Sequence, residues 1–112
     1  MDFANGEGRK AFTQLFPIGV VACITPFNFP LNLLMHKVAP ALAVGCSLVV
    51  KPPPQAPLSA FALAEMMQEV GFPLGVINVL NCQIEVAEQL VRDERPKMLS
   101  FTGSDKVGWH LK

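Results

Sequence analysis

Apolar residues fall into runs of two lengths along the chain, and the lengths predict two kinds of element. Ile18 to Ile24 (IGVVACI) is short, nearly unbroken and rich in β-branched residues, the pattern of a strand covered on both faces in a parallel sheet. Leu31 to Val44 is too long for a strand and apolar almost all round, so it reads as a buried helix. Pro40 should kink that helix by removing a hydrogen bond and clashing with the preceding turn, and Gly45 should end it. Ser47 to Val50 predicts a second strand, which Lys51 closes and Pro52, Pro53 and Pro54 force into an extended exit. Leu58 to Val70 predicts a helix whose narrow wet stripe is Glu65, Gln68 and Glu69. Gly71, Pro73 and Gly75 break it before a third strand, Val76 to Leu80. A short helix at Val86 to Arg92 and a fourth strand at Met98 to Phe101 follow, and Thr102, Gly103 and Ser104 turn the chain into a last helix.

Residues 1–16 show no sustained period and contain Gly6, Gly8, Arg9 and Lys10. They read as a mobile lead-in with a short strand near Phe12, and residues 17–112 as one unit. Strands alternating with helices over short connections predict an α/β fold, a parallel sheet of about four strands with helices on both faces and right-handed crossovers.

Composition narrows the setting. The chain has 112 residues, 51% of them hydrophobic and 16% charged. About 25% charged is usual for a soluble domain, so this chain carries little polar surface and is expected to self-associate in isolation. Nine basic and nine acidic residues cancel, which gives no electrostatic case for nucleic acid or an anionic membrane surface. No Asp or Glu occurs from Ala11 through Ala64, while His36, Lys37 and Lys51 lie in that span. Such a stretch tolerates a phosphate, and equally suits a buried core that excludes charge. Cys23, Cys46 and Cys82 have no C-x-x-C or Cys/His spacing, so neither a disulfide framework nor a metal site is indicated and a reducing compartment fits. The polar N-terminus lacks the pattern of a secretory signal, and His36, Lys37 and Pro40 interrupt the longest apolar run, so a soluble, cytoplasmic protein is expected.

Three places can carry chemistry. Asn28 lies in the loop Thr25-Pro26-Phe27-Asn28-Phe29-Pro30, between two prolines and just past a strand's carboxyl end. Its NH₂ can donate to an oxyanion, or bond its own backbone as Asn in such turns does. Lys51 ends a strand, where ligands of open α/β sheets collect, and reads otherwise as a solvated lysine. The turn Phe101-Thr102-Gly103-Ser104 opens a helix, so its free N–H groups suit a phosphate or simply a cap. Cys23 and Cys46 read as packing residues and His36 as a hydrogen-bonded core histidine.

These residues lie within the longer strings ITPFNFPLNL, HKVAPALAVG, LVVKP, APLSA and SFTGSDKVG. In that order and at that spacing they resemble the aldehyde dehydrogenase superfamily from about Gly19 to Gly108. The resemblance implies a Rossmann-like domain binding NAD or NADP, in an enzyme that oxidises an aldehyde to an acid through a thioester on a cysteine, homo-oligomeric when full-length. It implies that Asn28 helps stabilise the oxyanion and that Lys51 bonds the adenosine ribose hydroxyls. Phe101, Gly103 and Ser104 would form the turn under the pyrophosphate, Val107 would lie near the adenine, and Ile24, Thr25, Pro26 and Phe27 would line the cofactor groove.

The chain departs from the family pattern at two places. Cys82 and Ile84 stand where a G-x-G pair is common, which puts close backbone approach to the cofactor there in question. Pro54 stands where NAD-preferring members often have an acid, so the ribose 2′-OH loses a carboxylate partner and a 2′-phosphate loses a repeller. NADP is therefore expected to be accepted at least as well as NAD. In the family the general-base glutamate and nucleophilic cysteine lie downstream of the Phe-Thr-Gly-Ser turn, and no Glu or Cys here occupies a matching position. The expectation is a piece of the cofactor domain, inactive alone, the alternative being a naturally short, non-catalytic nucleotide-binding or interaction module.

Overall fold

The computed structural model describes residues 8–112. Met1 to Glu7, and with them the first part of the expected lead-in, lie outside the described residues. Residues 9–18 form neither helix nor strand, so the strand expected near Phe12 does not form; that side chain is 91% exposed and gains no cover from a neighbouring element.

Four parallel strands make the sheet: β1 (Val20–Ile24), β2 (Ser47–Lys51), β3 (Ile77–Val79) and β4 (Pro96–Phe101), in the order β3-β2-β1-β4. Side chains alternate between faces along a strand. Val21 and Cys23 of β1, with Leu48 and Val50 of β2, therefore point the same way. They meet Leu34 and Val38 of α1 (Asn32–Ala43) and Ala60 and Met67 of α2 (Leu58–Glu69), and this is the core. Val20 and Val49 point to the opposite face. There they line a cavity of about 590 Å³ with Val86 of α3 (Ile84–Ala87) and Leu90 of α4 (Gln89–Arg92). Helices thus cover both faces, as the alternation of elements predicts. No helix among the described residues is long and apolar enough to cross a membrane.

Both long helices end on a glycine in the left-handed region, where a side chain would be strained. After α1, Gly45 has φ +83°, its N–H donates to Leu42 O, and the Cys46 N–H donates to Ala41 O. After α2, Gly71 has φ +88°, its N–H donates to Gln68 O, and the Phe72 N–H donates to Met67 O. Two otherwise orphaned carbonyls are satisfied at each end.

Several expectations need correction. Only Leu34, Lys37 and Val38 of α1 are buried, and His36 is exposed with no side-chain hydrogen bond among the described residues, so the core polar group of that helix is its neighbour Lys37. The wet face of α2 is broad, including Leu58, Phe61 and Met66, because only Ala60 and Met67 are buried against the sheet, with Leu63 packed partly buried beside them. The single helix expected over Val86 to Arg92 is two short ones meeting at Glu88. Strand β4 begins at Pro96, two residues before Met98, because the register slips beside Val20: Val20 pairs with Pro96 and Val21 with Met98. Lys97 is the extra residue of that bulge, and a proline is tolerated at the first position of a strand.

Candidate functional site

The carboxyl ends of three adjacent strands finish level. Ile24 of β1 pairs with Lys51 of β2 on one side and with Phe101 of β4 on the other. The chain leaves the sheet still tied to it, the Thr25 N–H donating to Lys51 O at 3.4 Å and the Thr102 N–H to Ile24 O at 3.1 Å. The three stretches singled out by sequence therefore emerge side by side from one edge.

Asn28 lies four residues beyond β1, exposed in a bend, and its side chain makes no hydrogen bond among the described residues. The amide that does serve backbone is Asn78's, donating to Leu48 O at 3.2 Å and Gly75 O at 2.9 Å. Thr25 is buried, Ile24 and Pro26 are half-buried, and Phe27 is 62% exposed. Lys51 is buried at 7% exposure, with no hydrogen bond or ion pair from its ammonium among the described residues. Pro54 is exposed beside it in sequence and offers no carboxylate.

The turn after β4 owes its shape to close packing. A Cβ on Gly103 would stand 2.5 Å from Phe101 Cζ, and one on Gly108 would touch the same ring at 3.4 Å. The Phe101 ring thus lies over the turn and against α5 (Asp105–Leu111). Ser104 is the N-cap, its Oγ accepting from the Val107 N–H at 3.4 Å. The Asp105 carboxylate accepts from the Lys106 N–H at 2.8 Å, so a resident acid already uses part of the helix N-terminus. The N–H groups of Gly103, Ser104 and Asp105 remain without partners among the described residues. These three residues line a recess of about 480 Å³ together with Phe101, Thr102 and Trp109, with Lys112 Nζ 4.8 Å from the Trp109 ring. Asn28, Lys51 and Val107 do not line this recess; Val107 is 43% exposed on another side of α5. His110 Nε2 lies 2.8 Å from Glu88 Oε1, joining α5 to the α3–α4 corner. That contact, followed by the nearby Arg92, holds the Glu88 carboxyl below its ordinary range.

At the departures from the family pattern, Cys82 is half-buried against the α3–α4 cavity and Ile84 is 66% exposed. Cys23 and Cys46 are buried packing residues. Among the described residues no group of three or more His, Cys, Asp or Glu is placed to hold a metal ion.

Sequence reasoning missed Lys37. Only 8% exposed, it reaches from α1 to β4, its Nζ donating to Thr102 Oγ1 at 2.7 Å and Ser100 Oγ at 3.2 Å. It thereby fastens the residue just past β4 to the helix. Burial lowers its pKa, against a smaller opposing influence of the Cys23 thiol. A lysine inside an acid-free apolar helix is the one signal that could have marked it, since such a group stays buried only where hydroxyls or carbonyls receive its protons.

The family model described as aldehyde dehydrogenase family matches residues 2–112. A 3-sulfolactaldehyde dehydrogenase of Priestia aryabhattai is 50% identical over 105 residues, 93% of this chain and 22% of its own length. A glyceraldehyde-3-phosphate dehydrogenase of Methanocaldococcus jannaschii, solved with NADP, superposes with a TM-score of 0.81 at 45% identity, over 88% of this chain and 23% of that one. A betaine aldehyde dehydrogenase of Staphylococcus aureus, solved with NAD+, gives 0.82 at 44%, over 85% and 19%. The chain thus spans about a fifth of the length of the relatives it matches.

Proposed function

Since the chain belongs to the aldehyde dehydrogenase family, we propose that it holds the nucleotide of NAD or NADP for the oxidation of an aldehyde to a carboxylic acid, and supplies one donor to the oxyanion of that reaction. The observation that carries this reading is the level finish of β1, β2 and β4, which brings Lys51, the Asn28 loop and the Gly103-Ser104 turn to one edge. In open α/β sheets ligands bind outside the carboxyl ends of the strands.

The donor set fits a dinucleotide. Lys51 has a buried stem and an uncommitted ammonium, suited to ribose hydroxyls. Gly103 and Ser104 line the recess, and their unpartnered N–H groups suit a pyrophosphate oxygen. Ile24, Thr25, Pro26 and Phe27, on the strand between β2 and β4 and the loop after it, would line the groove, and Val107 would serve the adenine side. Asp105 opposes an anion at the turn, so Lys51 is assigned the larger share of binding. Pro54 neither rewards a free 2′-hydroxyl nor repels a 2′-phosphate, so NADP is held at least as well as NAD.

The chemistry supplied by bound NAD or NADP is acceptance of the aldehyde's hydride. This chain's part is positioning and charge stabilisation. The Asn28 amide, free of any partner among the described residues, donates an N–H to the oxygen on which negative charge collects, where a fixed donor is worth more than in water.

Titration of NADP and NAD, followed by the fluorescence of Trp109 at the recess, tests the reading. Saturable change is expected, NADP binding no more weakly than NAD. Lys51→Gln should weaken binding about tenfold, about 1.4 kcal/mol, whereas Asn28→Ala should leave it unchanged. No spectral change at millimolar cofactor would overturn the assignment.

A further inference from the structure

Among the described residues, the one buried cation that the cofactor reading does not employ stands beside a cavity. Lys37 lines a space of about 240 Å³ between α1, β1 and β4, walled by Phe16, Ile18, Val21, Ala41 and Met98. That is below the roughly 300–1,000 Å³ of sites for drug-sized ligands, so it admits only small molecules. The groups facing Lys37 are the Cys23 thiol from β1, the Ser100 hydroxyl from β4 and the Thr102 hydroxyl just past it, and, around the same cavity, His36 of its own helix and Cys46. No carboxylate of the described residues is among them, and its two hydrogen bonds go to neutral hydroxyls.

We propose that Lys37 is a covalent modification site for small aldehydes, and that the adduct loosens the turn which Lys37 holds. The neutral amine adds through its lone pair to the aldehyde carbon, and the carbinolamine then loses water, so that R–NH₂ and R′–CHO give R–N=CH–R′ and H₂O with no change of oxidation state. The ammonium's third proton is released first. Burial assists that release, because the low-dielectric surroundings favour the neutral amine. An imine keeps no N–H, and its protonated form keeps one, so the two bonds to Ser100 and Thr102 cannot both survive. The aldehyde's apolar tail lies against Met98 and Val21. Through Thr102 the modification reaches the Gly103-Ser104 turn, so excess aldehyde restrains its own oxidation at the cofactor-binding step.

The inference takes its reagent class from the aldehyde reading, but its test is separate. The folded chain is treated with butanal and sodium cyanoborohydride at neutral pH, and each lysine's alkylation is read by peptide mass spectrometry. Lys37 should carry several-fold more adduct than Lys10, Lys97, Lys106 or Lys112, because it alone of these lines the cavity and its burial favours the neutral amine. The preference should vanish in urea and with a bulky naphthaldehyde. Lys37→Arg, which keeps a donor but forms no imine, should abolish the selective adduct, and in the alkylated protein the Thr102 amide should exchange faster. Uniform labelling, or selectivity that persists in urea, would overturn the proposal. If Lys37 labels selectively while NADP fails to bind, the cofactor assignment falls and this one stands; uniform labelling with NADP bound removes this one and leaves the cofactor assignment intact.

Discussion

Gly103 shows how one missing methyl group can shape a loop. Its place is set by the Phe101 ring, since a Cβ there would meet the ring at 2.5 Å. Gly103→Ala should therefore destabilise the fold by about 1–3 kcal/mol, as overpacking does, and Phe101→Leu should restore part of the loss; urea unfolding of the two single variants and the double variant measures both. Cys23 gives a prediction in pH. Burial pushes its thiol from 9.0 up to about 11, against a smaller influence of Lys37, so the folded chain keeps a proton that the unfolded chain releases. This contribution is complete below pH 9 and lost as pH rises from 9 to about 11. Lys37, lowered from 10.5, acts in the opposite sense, adding stability as pH rises toward 10.5. Cys23→Ala should flatten the alkaline loss of unfolding free energy, and a slope equal to the parent's would refute that. The exchange of roles between His36 and Lys37 was not legible, because a helix apolar nearly all round gives no phase. Neighbouring positions differ by about 100°, so an error of one residue moves a side chain from core to solvent.

Elements were legible where backbone chemistry marks them. Gly45 and Gly71 announced the ends of α1 and α2, and both take positive φ. At Gly71 no atom lies within 4 Å of an added Cβ, so backbone strain acts alone. Gly71→Ala should cost about 1 kcal/mol and Gly71→Asn less, since Asn tolerates the left-handed region; thermal unfolding of the pair distinguishes strain from crowding. The continuous apolar runs of β1 and β2 were equally readable, because both faces of those strands are covered. Less was readable where tertiary contacts decide. The start of β4 depends on a bulge against β1, and α3 and α4 part at Glu88, whose carboxylate is engaged by His110 and Arg92. Neither contact leaves a local pattern. For the candidate site, sequence located Asn28, Lys51 and the Gly103-Ser104 turn but could not see the level strand ends or the tie from Lys37 to Thr102.

For the whole molecule, the core is small and much apolar surface stays in water. Phe12, Leu15, Phe16, Leu58, Leu74 and Trp109 are each more than 70% exposed. The radius of gyration, 16.9 Å, exceeds the roughly 13 Å of a compact chain of this length. Concentration-dependent sedimentation and binding of an apolar dye are the expected behaviour; a monomer of constant sedimentation coefficient would contradict it. The strand order carries a further consequence, in time. β1 meets β2 after one helix, but its other partner, β4, is the fourth of the four strands. Closing a loop costs about 0.6 kcal/mol more for each doubling of its length, so the β1–β4 pairing carries the larger closure cost of the two. The edge where Asn28, Lys51 and the Gly103-Ser104 turn meet spans that seam, and a nascent chain therefore completes the edge proposed to hold the nucleotide only when its fourth strand docks.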